Sequence, residues 1–491
     1  MEVFSLIFAV LIGSVSLLVT YSYWKYNYWK RKGLPYLQPT FPLGNTKNPF
    51  TRKETVGDIV KQWYDELKRK GLKHGGVYMF LKPIYLPTDP TLIRCILVKD
   101  FQHFSDRGIP HDERNNPLSA NLFTVDGTLW KTLRTKLTPT FTSGKMRMMF
   151  DTLLQCTEPF LKAVEGQAVD IKEVLSKFTV DVIGSCAFGL ECNSFGGEET
   201  EFIKYGRGFF DLDARRVFKN VVRFNLPAVG RVLGLKAVDE ETERFFMDLV
   251  ERTIEYRETN GVTRNDFMQL LINMKKEDDS LGLGLLTAQA FLFFLAGFET
   301  SSTTMTFCLY ELALHEDIQS KAREEINDVI KGHEGQLTYD GLSEMKYLQQ
   351  IIDETLRLHP PAEGTHRTCS KPYQLPDTNT ILEKGTMVLI PIKALHLDAE
   401  YYPEPYKFDP ERFSSENKAE IKPFTFLPFG DGPRNCIGLR FDLMQTKVGL
   451  SVLLKNFRFT LNERTKIPLK LNPRAFVASV VDGIWLNVEK L

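Results

Sequence analysis

The ten residues Phe429-Gly-Asp-Gly-Pro-Arg-Asn-Cys-Ile-Gly438 decide how this chain is read. Their glycines let backbone approach a flat ligand closely and take conformations that other residues resist. The run delivers Cys436 immediately before a helical pattern over 438–456, GLRFDLMQTKVGLSVLLKN. At a helix N-terminus a thiolate is stabilised by the dipole and by free N–H groups. Thiolate is the form that ligates iron, and Arg434, two residues earlier, can neutralise a carboxylate. A shielded thiolate with an arginine beside it suits haem with cysteine as axial ligand. The cysteines at 95, 156, 186, 192, 308 and 369 read instead as small buried apolar side chains.

Two helical stretches lie upstream. Residues 287–315 (TAQAFLFFLAGFETSSTTMTFCLYELALH) run without proline for about 43 Å at 1.5 Å per residue. The stretch is apolar nearly all round, so it should cross the centre of the fold. Its middle, Gly-Phe-Glu-Thr-Ser-Ser-Thr-Thr, has poor helix propensity at a buried place. Such a local conflict points to function; a packing glycine with back-bonded hydroxyls is the plain alternative. The second stretch, 343–359, ends at Pro360-Pro361 and puts Glu354 and Arg357 on one face, where they can pair. An ordinary surface ion pair would look the same.

The 491 residues carry 62 Lys+Arg against 62 Asp+Glu, with a hydrophobic fraction of 43%. That balance excludes disordered and collagen-like chains and argues against nucleic-acid binding by bulk charge. Seven cysteines, an odd number at irregular spacing and with no CxxC, argue against a disulfide framework and for a reducing compartment. HExxH, Walker and dinucleotide-binding patterns and the usual zinc spacings are missing.

Val3 to Val19 reads VFSLIFAVLIGSVSLLV, uncharged, and a helix continuing to Trp24 is long enough to span a bilayer. Tyr21, Tyr23, Trp24, Tyr26, Tyr28 and Trp29 follow, interleaved with Lys25, Lys30, Arg31 and Lys32. Aromatic rings prefer the headgroup layer, and Lys/Arg marks the cytoplasmic side. A cleaved signal peptide would carry its charge before the apolar run and small residues after it. The expectation is an uncleaved anchor over 1–32 and a stiff proline elbow over 33–45. Residues 46–491 show no linker or repeat and read as one large catalytic body, mostly α with a small β portion. Strand material is expected at 76–86, with a turn at Lys82-Pro83, and at 386–392.

Phe429, Gly432, Arg434, Cys436 and Gly438 match FxxGxRxCxG, and here the chain resembles the cytochrome P-450 superfamily. Ala296-Gly-Phe-Glu-Thr300 resembles its oxygen-activation motif, Glu354-Thr-Leu-Arg357 its ExxR motif and Pro410-Glu-Arg-Phe413 its PERF motif. The similarity runs from the anchor to the end. The finer pattern, including residues 176–195 and 141–146, is similar to the microsomal, xenobiotic-oxidising clan and nearest its insect detoxification branch.

The resemblance implies a role for each matching residue. Cys436 would be the axial thiolate of haem b. Phe429 would pack against the sulfur, and backbone N–H groups near Ile437 and Gly438 would tune it. Arg434, Arg367, Trp130 and Arg134 would hold haem propionates. Gly297 would leave room for dioxygen, while Thr300 and Glu299 would deliver the protons that O–O cleavage needs. Glu354, Arg357 and Arg412 would form a buried structural triad. Substrate contacts are expected by position at Phe123, Phe210, Phe294, Ala296, Thr365 and Phe476. Glu363 and His366 depart from an otherwise apolar segment: either they turn outward or the substrate carries a polar or cationic group.

The reaction so implied is NADPH-driven monooxygenation of lipophilic molecules at the endoplasmic reticulum membrane, with the body on the cytosolic side. No NADP or flavin fingerprint occurs, so electrons would come from a flavoprotein reductase, with cytochrome b5 as a further partner. Lys131, Arg134, Lys136, Arg440 and Lys447 would make the thiolate face basic and suit an acidic partner. Residues 201–236, with eight Lys/Arg against three Asp/Glu among phenylalanines, suit a membrane surface as well as plain core packing. Two alternatives are an isomerase or peroxide-rearranging enzyme that needs no reductase, which Glu299-Thr300 counts against, and a non-catalytic binding protein with Cys436 merely buried. Detoxification and biosynthesis are both compatible with the sequence.

Overall fold

The computed structural model describes residues 2–197, 199–210, 212–278 and 281–491. Helix α1 (Glu2–Tyr26) stands with its apolar side chains exposed and packs only at its C-terminal end. The body begins where Trp29, fully buried, slides beneath Gly76, where a Cβ would overlap the indole at 2.3 Å. The elbow is not free either, because Leu34 and Leu37 are buried against the body.

Helix α2 (Val56–Arg69) starts at a capping box in which Thr55 and Asp58 satisfy each other's backbone N–H groups. The expected strand material divides into β1 (His74–Met79) and β2 (Lys82–Pro87). Their antiparallel register pairs Met79 with Lys82, so the turn falls at residues 80–81, with Phe80 at φ 53°, and Lys82-Pro83 opens the second strand.

Helix α3 (Gly127–Leu137) is followed by β3 (Ala168–Asp170) and α4 (Ile171–Ile183), which Asp170 caps through the Lys172 N–H. Then come α5 (Glu201–Phe210), α6 (Ala214–Asn225) and α7 (Glu240–Thr259). The central helix α8 spans Leu283–Leu314 and packs against α4, α7, α9 (Lys346–Leu358) and α10 (Leu439–Asn456). Being apolar on nearly every face, it is stable only in that sheath of neighbours. Rings of Phe202, Phe246, Phe291, Phe294 and Phe298 pack together along its first half.

Strands β4 (Thr365–Thr368) and β5 (Met387–Ile390) complete a four-stranded sheet in the order β1-β2-β5-β4. The β2–β5 pair is parallel and β4–β5 antiparallel, with Arg367 opposite Val388. A second sheet joins β3 to the C-terminal β6 (Phe457–Leu461) and β7 (Trp485–Lys490). The mostly helical body with small sheets is the architecture expected from the sequence.

Candidate active site

The glycine-rich loop closes on itself through the Cys436 N–H, which donates to Phe429 O at 2.8 Å. Gly432 has φ +71° and lies against Leu97 O, where a Cβ would come within 2.0 Å, so only glycine fits this turn. Cys436 sits deep in the body, yet its side chain opens onto an interior cleft. Burial pushes the thiol up to about 11, and the charge of Asp442 adds to this; the Gly438 N–H, Arg134 and Arg107 pull the other way. The start of α10 therefore does not by itself produce a thiolate, because desolvation outweighs the helix end. A bound cation would supply the missing stabilisation and expel the proton.

Two buried arginines, Arg367 and Arg434, and the half-buried Arg107 gather beside the loop. The Arg434 guanidinium lies 4.4 Å over the Trp130 ring, donates to Val125 O at 2.8 Å and pairs with Asp126 at 3.3 Å. Arg367, on β4, uses Nη1 on His366 O at 2.9 Å. Arg107, which the sequence did not single out, stacks over Phe123 at 3.7 Å and reaches Arg434 O at 3.4 Å. Burial pushes Arg367 and Arg434 down to about 10 and Arg107 well below its ordinary value; repulsion from Arg434 adds to this for Arg367 and from both neighbours for Arg107, while Asp126 and Asp106 partly offset it for Arg434. Arg107 Nε, Arg367 Nε, Arg434 Nε and Nη1, and His366 Nε2 have no hydrogen-bond partner among the described residues. Buried cations with spare donors require an anion. The donor set fits a group bearing carboxylates, and with Cys436 across the cleft it fits haem. Arg134 is placed differently from the expectation: its two terminal nitrogens donate to Asn435 O and Oδ1, at 2.9 and 2.7 Å, so it braces the cysteine loop.

On the α8 side, Ala296 is exposed to the cleft and Thr300 partly so. The Thr300 hydroxyl donates back to Ala296 O at 2.5 Å. Glu299 is buried and its carboxylate is 2.9 Å from Lys172 Nζ of α4, so it is anchored sideways by an ion pair. Gly297 has another purpose than the one expected of it. A Cβ there would strike Ile183 Cδ1 at 2.4 Å, so its bareness admits α4, and its carbonyl accepts from Gln445 at 3.3 Å.

Other expectations are corrected by the structure. Phe294 is fully buried among phenylalanines and does not line the cleft, while Phe476 is 67% exposed. Phe123 lies under Arg107, Phe210 borders Phe298 at 6.5 Å, and Thr365 contacts Arg367 Nη1 at 3.3 Å. Lys447 is buried and donates to Leu342 O at 2.8 Å, so it contributes nothing to a basic face. Lys131 is exposed, Lys136 pairs with Asp278 at 3.5 Å and Arg440 reaches Phe141 O at 3.4 Å. Glu363 is engaged by protein groups: it pairs with Lys393 and accepts the Gly57 N–H at 3.1 Å, in the wall of a cavity of about 250 Å³ lined also by His359 and Phe307. His366 is pushed down to about 3 by burial and by Arg107, Arg367 and Lys82, and stays neutral.

Glu354 and Arg357 are fully buried and bidentate, at 2.7 and 2.8 Å. Arg357 also donates to His396 O and Pro405 O, and the Asp409 N–H donates to Glu354. Arg412 approaches Glu354 only to 3.5 Å and is the loosest member.

The cytochrome P450 family model matches residues 43–484 of the chain. A Drosophila melanogaster protein named probable cytochrome P450 6a20 is 43% identical over 98% of this chain and 99% of its own length. Cytochrome P450 6a2 of the same organism is 41% identical over 98% and 99%. Cytochrome P450 6A1 of Musca domestica is 38% identical over 97% and 96%.

Proposed function

The chain belongs to the cytochrome P450 family of haem-dependent monooxygenases, and on that premise we propose that it oxidises lipophilic small molecules, xenobiotics such as plant toxins or insecticides among them. The observation that carries the assignment is the pairing of Cys436 on an interior cleft with Arg107, Arg367 and Arg434, each with at least one buried guanidinium nitrogen that lacks a partner among the described residues. Cys436 would bind the haem iron, and Arg434, Arg367 and Arg107 would hold the propionates, with Trp130 beneath Arg434 fixing the guanidinium plane. Haem, when bound through a thiolate, supplies the oxygen-activating chemistry.

The protein's own residues prepare the cleft. Phe429 and the Gly438 N–H shield and tune the sulfur. Thr300 holds its proton toward Ala296 O, which turns the oxygen's free lone pairs to the cleft. Glu299, held by Lys172, is the acid that resupplies protons to Thr300. Glu354, Arg357 and Arg412 hold the cysteine-bearing half in place and take no part in chemistry.

Family members of this kind draw electrons from a reductase. Electrons from NADPH reach this chain through a flavoprotein reductase, with cytochrome b5 as a second donor, docking over Lys131 and Arg440. Helix α1, with mean hydropathy 2.5 over its most apolar 18 residues, anchors the body to the cytosolic face of the endoplasmic reticulum. Exposed Phe218, Phe224, Leu226 and Val232, interleaved with basic residues of α6, lay the substrate entrance on the same bilayer. The test is the reduced, CO-treated protein. It should show the red-shifted Soret band of thiolate ligation, absent in Cys436→Ala, and reductase-dependent NADPH consumption. A colourless protein, or imidazole ligation, would refute the assignment.

A further inference from the structure

Asp442 lies in the first turn of α10, its N–H bonded to Gly438 O at 2.9 Å. Its side chain is buried between α10 and α8, where Ser301 Oγ donates to Oδ1 at 2.5 Å. Among the described residues no Lys, Arg or His lies within ion-pair distance of it. Glu354, Glu299 and Asp266, also buried, each face a cation. Removing a carboxylate from water without a counter-ion is costly, and such a group beside a functional centre calls for a reason other than stability. Asp442 is also close enough to Cys436 for its charge to push that thiol up.

Building on the thiolate assignment above, we propose that Asp442 is a positioning residue that lowers the electron affinity of the iron held by Cys436. A fixed negative charge on the sulfur side opposes the arrival of an electron at the metal, in a region too dry to screen it. Ser301 holds the carboxylate in place, so the charge is aimed and does not relax towards solvent. No redox step is added: the group changes the driving force of the electron transfer that the family already performs.

The experiment is spectroelectrochemical titration of the detergent-solubilised full-length holoprotein at pH 8, where the carboxyl is ionised. Asp442→Asn and Asp442→Ala should both raise the reduction potential, by up to a tenfold change in the reduction equilibrium, 59 mV for one electron. Ser301→Ala keeps the charge and should not raise it. The alanine variant leaves no unpaired amide behind and stands in if the asparagine variant misfolds. Coincident potentials in wild type and the Asp442 variants, with the thiolate CO band intact, would overturn the inference and leave the haem assignment standing. A wild-type protein without that band would overturn the assignment itself.

Discussion

The Lys172 ammonium of α4 lies 2.9 Å from the Glu299 carboxylate of α8, and 2.8 Å from both Ser302 Oγ and Thr303 Oγ1. Burial pulls Lys172 down while Glu299 pulls it up, and the net is a lowered value. Each charge is tolerable in the interior only because of the other. The acid expected to serve Thr300 is therefore tethered from behind, and its reach is set by a residue 127 positions earlier in the chain.

Lys172→Met should remove the ion pair that holds the Glu299 carboxylate in position. The fraction of NADPH electrons recovered in product should fall several-fold and hydrogen peroxide release should rise, with the CO spectrum unchanged. Thr300→Ala should show the same uncoupling. Unchanged coupling in both variants would remove this pair from proton delivery.

Cutting the Glu354–Arg357 pair should be severe. Arg357→Ala leaves a buried carboxylate and frees the carbonyls of His396 and Pro405, for a loss of about 3–5 kcal/mol. Arg357→Lys should rescue little, since one ammonium cannot replace the fork. Arg412→Ala, at a 3.5 Å contact, should cost much less. Denaturation midpoints and haem content of the three variants give the ranking.

Arg107→Ala should speed haem loss to excess apomyoglobin by roughly tenfold or more, the worth of a charge-assisted hydrogen bond of about 1.5–3 kcal/mol. Arg367→Ala and Arg434→Ala should act in the same direction. Arg134→Ala should act less, because its guanidinium is already spent on Asn435.

His396 should make the fold acid-sensitive. Its Nε2 accepts from the Leu427 N–H at 2.8 Å and its Nδ1 donates to Arg357 O at 3.2 Å, a pattern only the neutral ring satisfies. Burial and Arg357 push it down to about 3. The unfolded chain binds this proton near pH 6.5 and the folded chain does not. Stability from this group is full above pH 6.5 and falls as pH drops towards 3, by about 3 kcal/mol at pH 4. Denaturant midpoints between pH 7 and 4 should fall less steeply in His396→Gln than in the wild type.

What could be read from the residues alone was what neighbouring residues accomplish together. The cysteine loop, the Glu354–Arg357 face and the long apolar helix each act within one local segment, where spacing reports geometry directly. Arg107 escaped notice because it sits in an irregular loop; its bond to Arg434 crosses 327 positions. Glu363 looked unusual because Lys393, its partner, arrives from beyond β4. Lys447 read as a surface cation because a lysine's stem can be buried while its charge ends on carbonyls, here of residues 342 and 345. Gly297 shows the same limit: its missing side chain is explained by Ile183, on a different helix.

The indole of Trp29 does more than fill space under Gly76. Its Nε1 donates to Val77 O at 3.3 Å, and its own N–H is held by the Tyr78 hydroxyl at 3.2 Å. On the anchoring proposed above, a rod planted in a lipid sheet and riveted to the protein just past its base would not swivel like a rope. The enzyme would ride the bilayer at a set tilt, and lengthening or shortening α1 by two residues would rotate the whole body about the rod by over half a turn while lifting or sinking it by about 3 Å.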